Sequence, residues 1–310
     1  MKSVALGLPV LLVVLCCALP AAGAPAGAAD DPHPLLALAR ERAQIRDPQR
    51  FGVTGDTAIR QARHQLEQAH VPEDADCADS IGAARFAGLH IDAAVAYRAA
   101  GDLEAAAAAY RHALACRPRS AEILAALASV LFDARDLAGT RAAITESLKL
   151  DPRPVSSNRL AANLDFVEER WAEAIAKFHY VAASDEDRHQ AGYGQLMYWL
   201  AQRRAGIAKP EFVARTPAEG WPQPLLLYMR GEYTEAELVL PILDGDSSDN
   251  VIPNTSTDER LCEALFYVAE DHWASGHPEL ARDYFAALVN IRVLYFLEHG
   301  LALAEIAKLQ

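Results

Sequence analysis

The stretch GDLEAAAAAYRHALACRP, residues 101–118, returns in altered form as RDLAGTRAAITESLKLDP, residues 135–152. The two begin 34 residues apart, and that interval organises the middle of the chain. Asp102 and Asp136 occupy one column of the repeat, and Pro118 and Pro152 another. Ala106, Thr140 and Ala174 share a third column, and Tyr110, Ile144 and Phe178 a fourth. Each unit reads as helix, tight turn, helix. Residues 89–99 have helical periodicity, Gly101-Asp102 makes the turn, and Leu103–Cys116 is a strong helix former through its alanines. Proline then closes the unit, because it lacks an N–H and its ring blocks a further helical turn. Such a period lets neighbouring units bury each other's apolar faces in a stack, so the sequence predicts an all-α helical solenoid.

Three units follow one another, 87–120, 121–154 and 155–188. The third departs from the pattern: Asp165 stands where Tyr97 and Leu131 stand, and Glu186 replaces the closing proline. A further unit, Cys262–Tyr295, is marked by Gly276-His277, Ala281 and Phe285, and a half-preserved one by Gly231-Glu232-Tyr233, Ala236 and Leu240. Ile291–Leu309 reads as an apolar helix that caps the open end of the solenoid. Ahead of the repeats, Leu35–Arg46 and Thr57–Ala69 read as helices, the second capped by Asp56. Val71–Asp79 reads as an acidic loop and Asp244–Glu259 as an exposed linker. The expected organisation is a signal segment (1–28), an N-terminal helical extension (29–78), three repeat units (79–188), divergent helical repeats (189–250), and a last unit with its capping helix (251–310).

The start of the chain has the order of a secretory signal: Met1-Lys2, an uncharged apolar run from Val4 to Leu19, then small residues from Pro20 to Ala29. Export to the periplasm with cleavage near residues 23–28 is expected. Leu15-Cys16-Cys17 lacks the small residue that lipid attachment requires before the cysteine, so a lipid anchor is not expected. The 310 residues carry 29 Lys and Arg against 42 Asp and Glu, a net charge of −13, which argues against nucleic acid as a general partner. The 52% hydrophobic content argues against wholesale disorder. Beyond the signal, Cys77, Cys116 and Cys262 allow three pairings in an oxidising compartment. Antiparallel helices bring the two ends of the first unit to one side, which makes Cys77 and Cys116 a candidate disulfide. A first helix that begins as early as Ser80 would carry Cys77 away.

Chemistry-bearing motifs are scarce. His272 and His277 are five apart with no His-Glu-x-x-His, and Asp244-Gly-Asp246 fails as a calcium loop because Asp249 and Thr255 fill its required positions. No phosphate loop, dinucleotide fingerprint or Gly-x-Ser-x-Gly occurs, so no metal, cofactor or catalytic activity is expected. Glu298-His299 reads as a polar contact near a helix end. The residues left for function are those of a protein-binding groove on the first helices of the units. Arg159 and Asn163 are four apart on one helical face, and Arg98 lies on the corresponding helix of the first unit. Phe132 and Phe166 are 34 apart, with Asp133 beside the first. Two readings stand for each set: a grip on a carboxylate or an ordinary solvated face, and groove anchors or core aromatics.

Tyr97, Ala106, Tyr110, Ala113 and Pro118 together resemble the tetratricopeptide repeat. Ala113–Pro118, Leu148–Pro152 and the tail from Phe285 through Asn290 to Phe296-Leu-Glu-His299 resemble the NlpI-like family of bacterial envelope adaptors, over residues 87–308. That resemblance implies an all-helical homodimer that docks peptidoglycan endopeptidases and a tail-specific, PDZ-containing protease. Members of that family are lipoproteins, which this chain does not match. The rival expectations are a structural assembly factor of a surface or secretion complex, and an enzyme whose site lies within 189–250.

Overall fold

The computed structural model describes residues 32–45, 60, 64, 80–184, 188–213, 220–243, 257–291 and 296–309. Among them are thirteen helices and no strand. After α1 (Pro34–Ile45) come three helix pairs: α2 (Ser80–Ala99) with α3 (Leu103–Cys116), α4 (Ala121–Asp133) with α5 (Leu137–Leu150), and α6 (Val155–Val167) with α7 (Trp171–Ala182). Then follow α8 (Arg188–Arg204), a short pair α9 (Gln223–Met229) and α10 (Glu235–Leu243), a last pair α11 (Thr257–Ala274) and α12 (Pro278–Ile291), and α13 (Leu297–Ile306). From α2 to α8 each helix packs on the next, and α6 touches both α4 and α8 in an inner layer. The chain is the all-α solenoid that its period predicts.

One turn, used repeatedly, explains the period. The backbone N–H groups of Asp102, Asp136, Arg170 and His277 each donate to a carbonyl five residues back, on Tyr97, Leu131, Asp165 and His272, at 2.8–2.9 Å. The residue just before each donor is left-handed: Gly101 at φ 79°, Arg135 at 63°, Glu169 at 58° and Gly276 at 85°. This closure satisfies carbonyls that the end of a helix leaves open. The side chains of Asp102 and Asp136 then cap the second helices, accepting from Ala105 N and Gly139 N at 3.1 and 2.8 Å. Gly206 and Gly231 close α8 and α9 in the same way, so the divergent region keeps the turn after losing the rest of the pattern. Between the turns, the small-residue column (Ala106, Thr140, Ala174, Ala281) is fully buried, and Tyr110, Ile144, Phe178 and Phe285 lie beside it in the core. Small residues let paired helices approach, and the larger column fills the layer between pairs.

The third unit keeps the geometry with different chemistry. Asp165, in the column of Tyr97 and Leu131, is fully buried and lies 2.7 Å from Arg141, 2.5 Å from Lys177 and 3.7 Å from Arg170. An ion cluster stands there in place of an apolar contact.

Three expectations are corrected. The first helix of the first unit begins at Ser80, earlier than residue 89. Of the candidate disulfide pair, Cys116 is disulfide-bonded. Cys77 lies outside the described residues, and Cys262 is a buried thiol. The expected linker gives way to α11 at Thr257, because Asp258 and Glu259 suit the first turn of a helix. Arg42 Nε also ties Asp258 to α1 at 2.9 Å. Residues 1–28, the acidic loop 71–79 and linker residues 244–256 lie outside the described residues. Of the expected helix 57–69 only Arg60 and His64 are described, both helical. No helix among the described residues is long and apolar enough to cross a membrane.

The third correction concerns the last helix. α13 does not cap an open end. It turns back from α12 and lies against α11 and the inner helices α4 and α6. Leu301, Ala302 and Ala304 are buried there, and Gly300 lies beside Phe132 and Asp133. The Arg135 guanidinium donates to the Leu303 carbonyl, and Lys308 Nζ is 3.4 Å from Glu169. At the far side Arg204, whose side chain is only 7% exposed, joins three helices. Its Nη1 is 2.5 Å from Glu270 on α11 and 3.4 Å from Glu305 on α13, and its guanidinium lies 3.7 Å from the centre of the Trp273 ring. Burial pushes the Glu270 and Glu305 carboxyls up, and the Arg204 charge pulls both back.

Candidate functional site

A pocket of about 640 Å³ opens on the inner layer. Its floor is small because α4 presents Ala121, Ala125, Ala126 and Ser129 there; a helix face with large side chains would fill the space. α6 supplies Arg159 and Asn163, one helical turn apart on the same face. α8 adds Tyr193, α11 adds Glu263, and the start of α13 adds Phe296, Leu297 and Glu298. The returning C-terminal helix therefore forms one wall of the pocket.

Asn163 is the centre of interest. It is 1% exposed, and neither its Oδ1 nor its Nδ2 has a hydrogen-bond partner. Arg159 Nε beside it is also buried without a partner. A buried polar atom left unpaired costs about 1–3 kcal/mol, so such groups in a pocket wall are donors and acceptors held ready for something else. Opposite them stand two buried carboxyls. Glu263 accepts from the Tyr193 hydroxyl at 2.6 Å and from the Trp221 indole N–H. Burial first, and the neighbouring Glu298 charge second, push the Glu263 carboxyl well above its ordinary range. Burial also raises Glu298, while Arg159 pulls it back. The Tyr193 phenol is pushed well up by burial and by Glu263.

Of the residues expected in a groove, Arg98, Arg159 and Asn163 line this pocket. Arg98 is not available as a simple carboxylate grip, because its Nε is 2.7 Å from Asp133. Burial lifts the Asp133 carboxyl to about 6 against the pull of Arg98. Phe132, Asp133 and Phe166 do not line the pocket. Phe132 and Phe166 are 3% and 0% exposed, which makes them core rather than groove anchors. They share a column one residue past Leu131 and Asp165, and α13 covers that side of α4 and α6. The sequence reading passed over Glu263 and Tyr193. The signal for Glu263 was present: one carboxylate in the otherwise apolar run Leu261–Ala269 of a helix is hard to bury without a purpose.

No family model matches the chain, and no curated protein matches it.

Proposed function

We propose that the protein is a non-catalytic, tetratricopeptide-type adaptor of the bacterial envelope, exported to the periplasm, that holds a segment of a client protein in the inner-layer pocket. The observation that carries this reading is Asn163. Its carboxamide offers a buried donor and a buried acceptor with no partner inside the chain. That pair matches the C=O and N–H of an extended peptide group, so a bound segment would satisfy both. Arg159, one turn earlier, would favour an acidic residue or terminal carboxylate beside the same peptide group. By the resemblance of its repeats, the clients are peptidoglycan endopeptidases or a PDZ-containing protease.

The test is an affinity pull-down with residues 29–310 immobilised against envelope extract of the same organism. Recovery of cell-wall hydrolases or a PDZ-containing protease, lost when Arg159→Ala and Asn163→Ala are combined, is the expected result. Equal recovery by the variant, with an unchanged melting temperature, removes the pocket from the reading. Recovery of a stoichiometric assembly complex instead favours a structural assembly factor.

One observation favours a catalytic reading: two buried carboxyls, Glu263 and Glu298, face one pocket with their proton affinities raised. Hydrolysis of purified peptidoglycan or of peptides by the protein alone, abolished by Glu263→Gln, would establish that reading over the adaptor.

A further inference from the structure

His33, Glu235 and His272 are remote in sequence and adjacent in space. His33 directly precedes α1, Glu235 is the first residue of α10, and His272 lies near the end of α11. One ligand atom from each, a ring nitrogen or a carboxylate oxygen, lies within 4.8 Å of the other two. His272 Nε2 is buried with no hydrogen-bond partner. The carboxylate is aimed by its neighbours: Glu235 Oε1 accepts from Leu35 N at 2.9 Å, and Oε2 accepts from the Tyr284 hydroxyl at 2.5 Å. Tyr284 OH is also 3.3 Å from His33 Nδ1. Hydrogen bonds to a carboxylate of this kind are the usual support around a metal ligand, since they fix its orientation.

We propose that His33, Glu235 and His272 bind one divalent transition-metal ion, with Zn²⁺ the ion that suits them. Two imidazoles and a carboxylate are nitrogen-rich ligands, which disfavours the all-oxygen ions Ca²⁺ and Mg²⁺. Tetrahedral Zn²⁺ with bonds of about 2.1 Å needs ligand atoms roughly 3.4 Å apart, so the triad must contract by about 1 Å. His33 lies outside any helix with its side chain 36% exposed, and it has the freedom to make that movement. The fourth position belongs to water. The site is also a staple. Its ligands come from the residue before α1 and from α10 and α11, which α1 packs against, so an ion fastens the N-terminal helix to the end of the solenoid.

The test uses the full chain from residue 29, free of any affinity tag and stripped of metal with a chelator. Co²⁺ is added to report coordination by its visible absorption, and Zn²⁺ is then titrated by calorimetry. One ion per chain is expected, with Co²⁺ displaced by Zn²⁺ and the melting temperature raised by saturating Zn²⁺. His272→Ala and Glu235→Gln are each expected to weaken binding on the order of a hundredfold. His112→Ala, which alters the stacked His90–His112 pair instead, should leave affinity unchanged. Circular dichroism confirms that each variant is folded, and Glu235→Gln, which keeps a hydrogen-bonding side chain, serves if His272→Ala is not. No saturable binding by the wild-type chain, or equal binding by both triad variants, overturns the proposal.

Discussion

Arg135 and Glu169, 34 residues apart, occupy the same left-handed turn position in successive units; Arg135 reaches Leu303 on α13, and Glu169 reaches Lys308 just past its end. Gly101 and Gly276 fill that position where α13 has no such contact. A non-glycine residue there costs about 1–2 kcal/mol of backbone strain, and the strain is the counterpart of the two side-chain contacts with α13 and the residues that follow it. Replacing both residues by glycine separates the two effects. Arg135→Gly with Glu169→Gly should leave the melting temperature equal or higher, since exposed contacts contribute about 1 kcal/mol or less. Hydrogen exchange in α13 should nonetheless quicken roughly tenfold as its tethers go. Unchanged exchange in α13 would show that these contacts hold nothing.

Asp165 tests whether an ion cluster in the core column serves stability. Asp165→Ala leaves Lys177 without its ion-pair partner and Arg141 with Glu168 alone, and should cost about 3 kcal/mol in urea unfolding. Asp165→Leu restores the residue type that Leu131 supplies one unit earlier, and should cost much less, because replacing a buried ionic group by a well-packed apolar one is often neutral. A leucine variant as unstable as the alanine variant would assign the cluster a stabilising role of its own.

Asp133 makes stability depend on pH in a defined direction. Its carboxyl rises from an ordinary 3.8 to about 6 on folding, chiefly by burial, so the folded chain holds a proton that the unfolded chain releases. The contribution is fully present below pH about 4 and lost as pH rises through about 6, on the order of 3 kcal/mol in all. Other buried carboxyls move the same way, so the reading must be comparative. Wild type minus Asp133→Asn, measured by urea unfolding at a series of pH values, should fall across that window. A flat difference refutes the assignment.

Cysteine chemistry gives a count. Thiol titration of denatured residues 29–310 should find one reactive thiol per chain, Cys262, and three after reduction. Three before reduction would exclude the Cys77–Cys116 pairing. Cys116→Ser should then expose Cys77 as a second thiol, and failure to do so would place Cys77 in another bond.

The fold was legible because its period is physical: the turn at 101, 135 and 169 fixes where the buried columns at 106, 140 and 174 fall, and both leave marks in residue type. The divergent region was less legible, since Gly206 and Gly231 preserve the turn without the columns. The site was half legible. Arg159 and Asn163 share a helix face and so announce themselves by spacing, whereas Glu263 and Tyr193 come from helices α11 and α8, which only the fold brings together. Phe132 and Phe166 misled because the same column is open in an isolated helix pair and covered once α13 returns. His33 could not have been paired with His272 by any local rule, as 239 residues separate them.

The return of α13 alters the arithmetic of the whole stack. A solenoid with contacts only between neighbours behaves as a one-dimensional lattice, and its end units fray without consulting the middle. Here the last helix bears on the second and third pairs, so the C-terminal unit cannot open alone without also releasing Arg135, Glu169 and Arg204. From the second pair onward a linear chain of elements has been joined into a ring of dependencies, and among the described helices the first pair, α2 and α3, is the end left open for unfolding to begin.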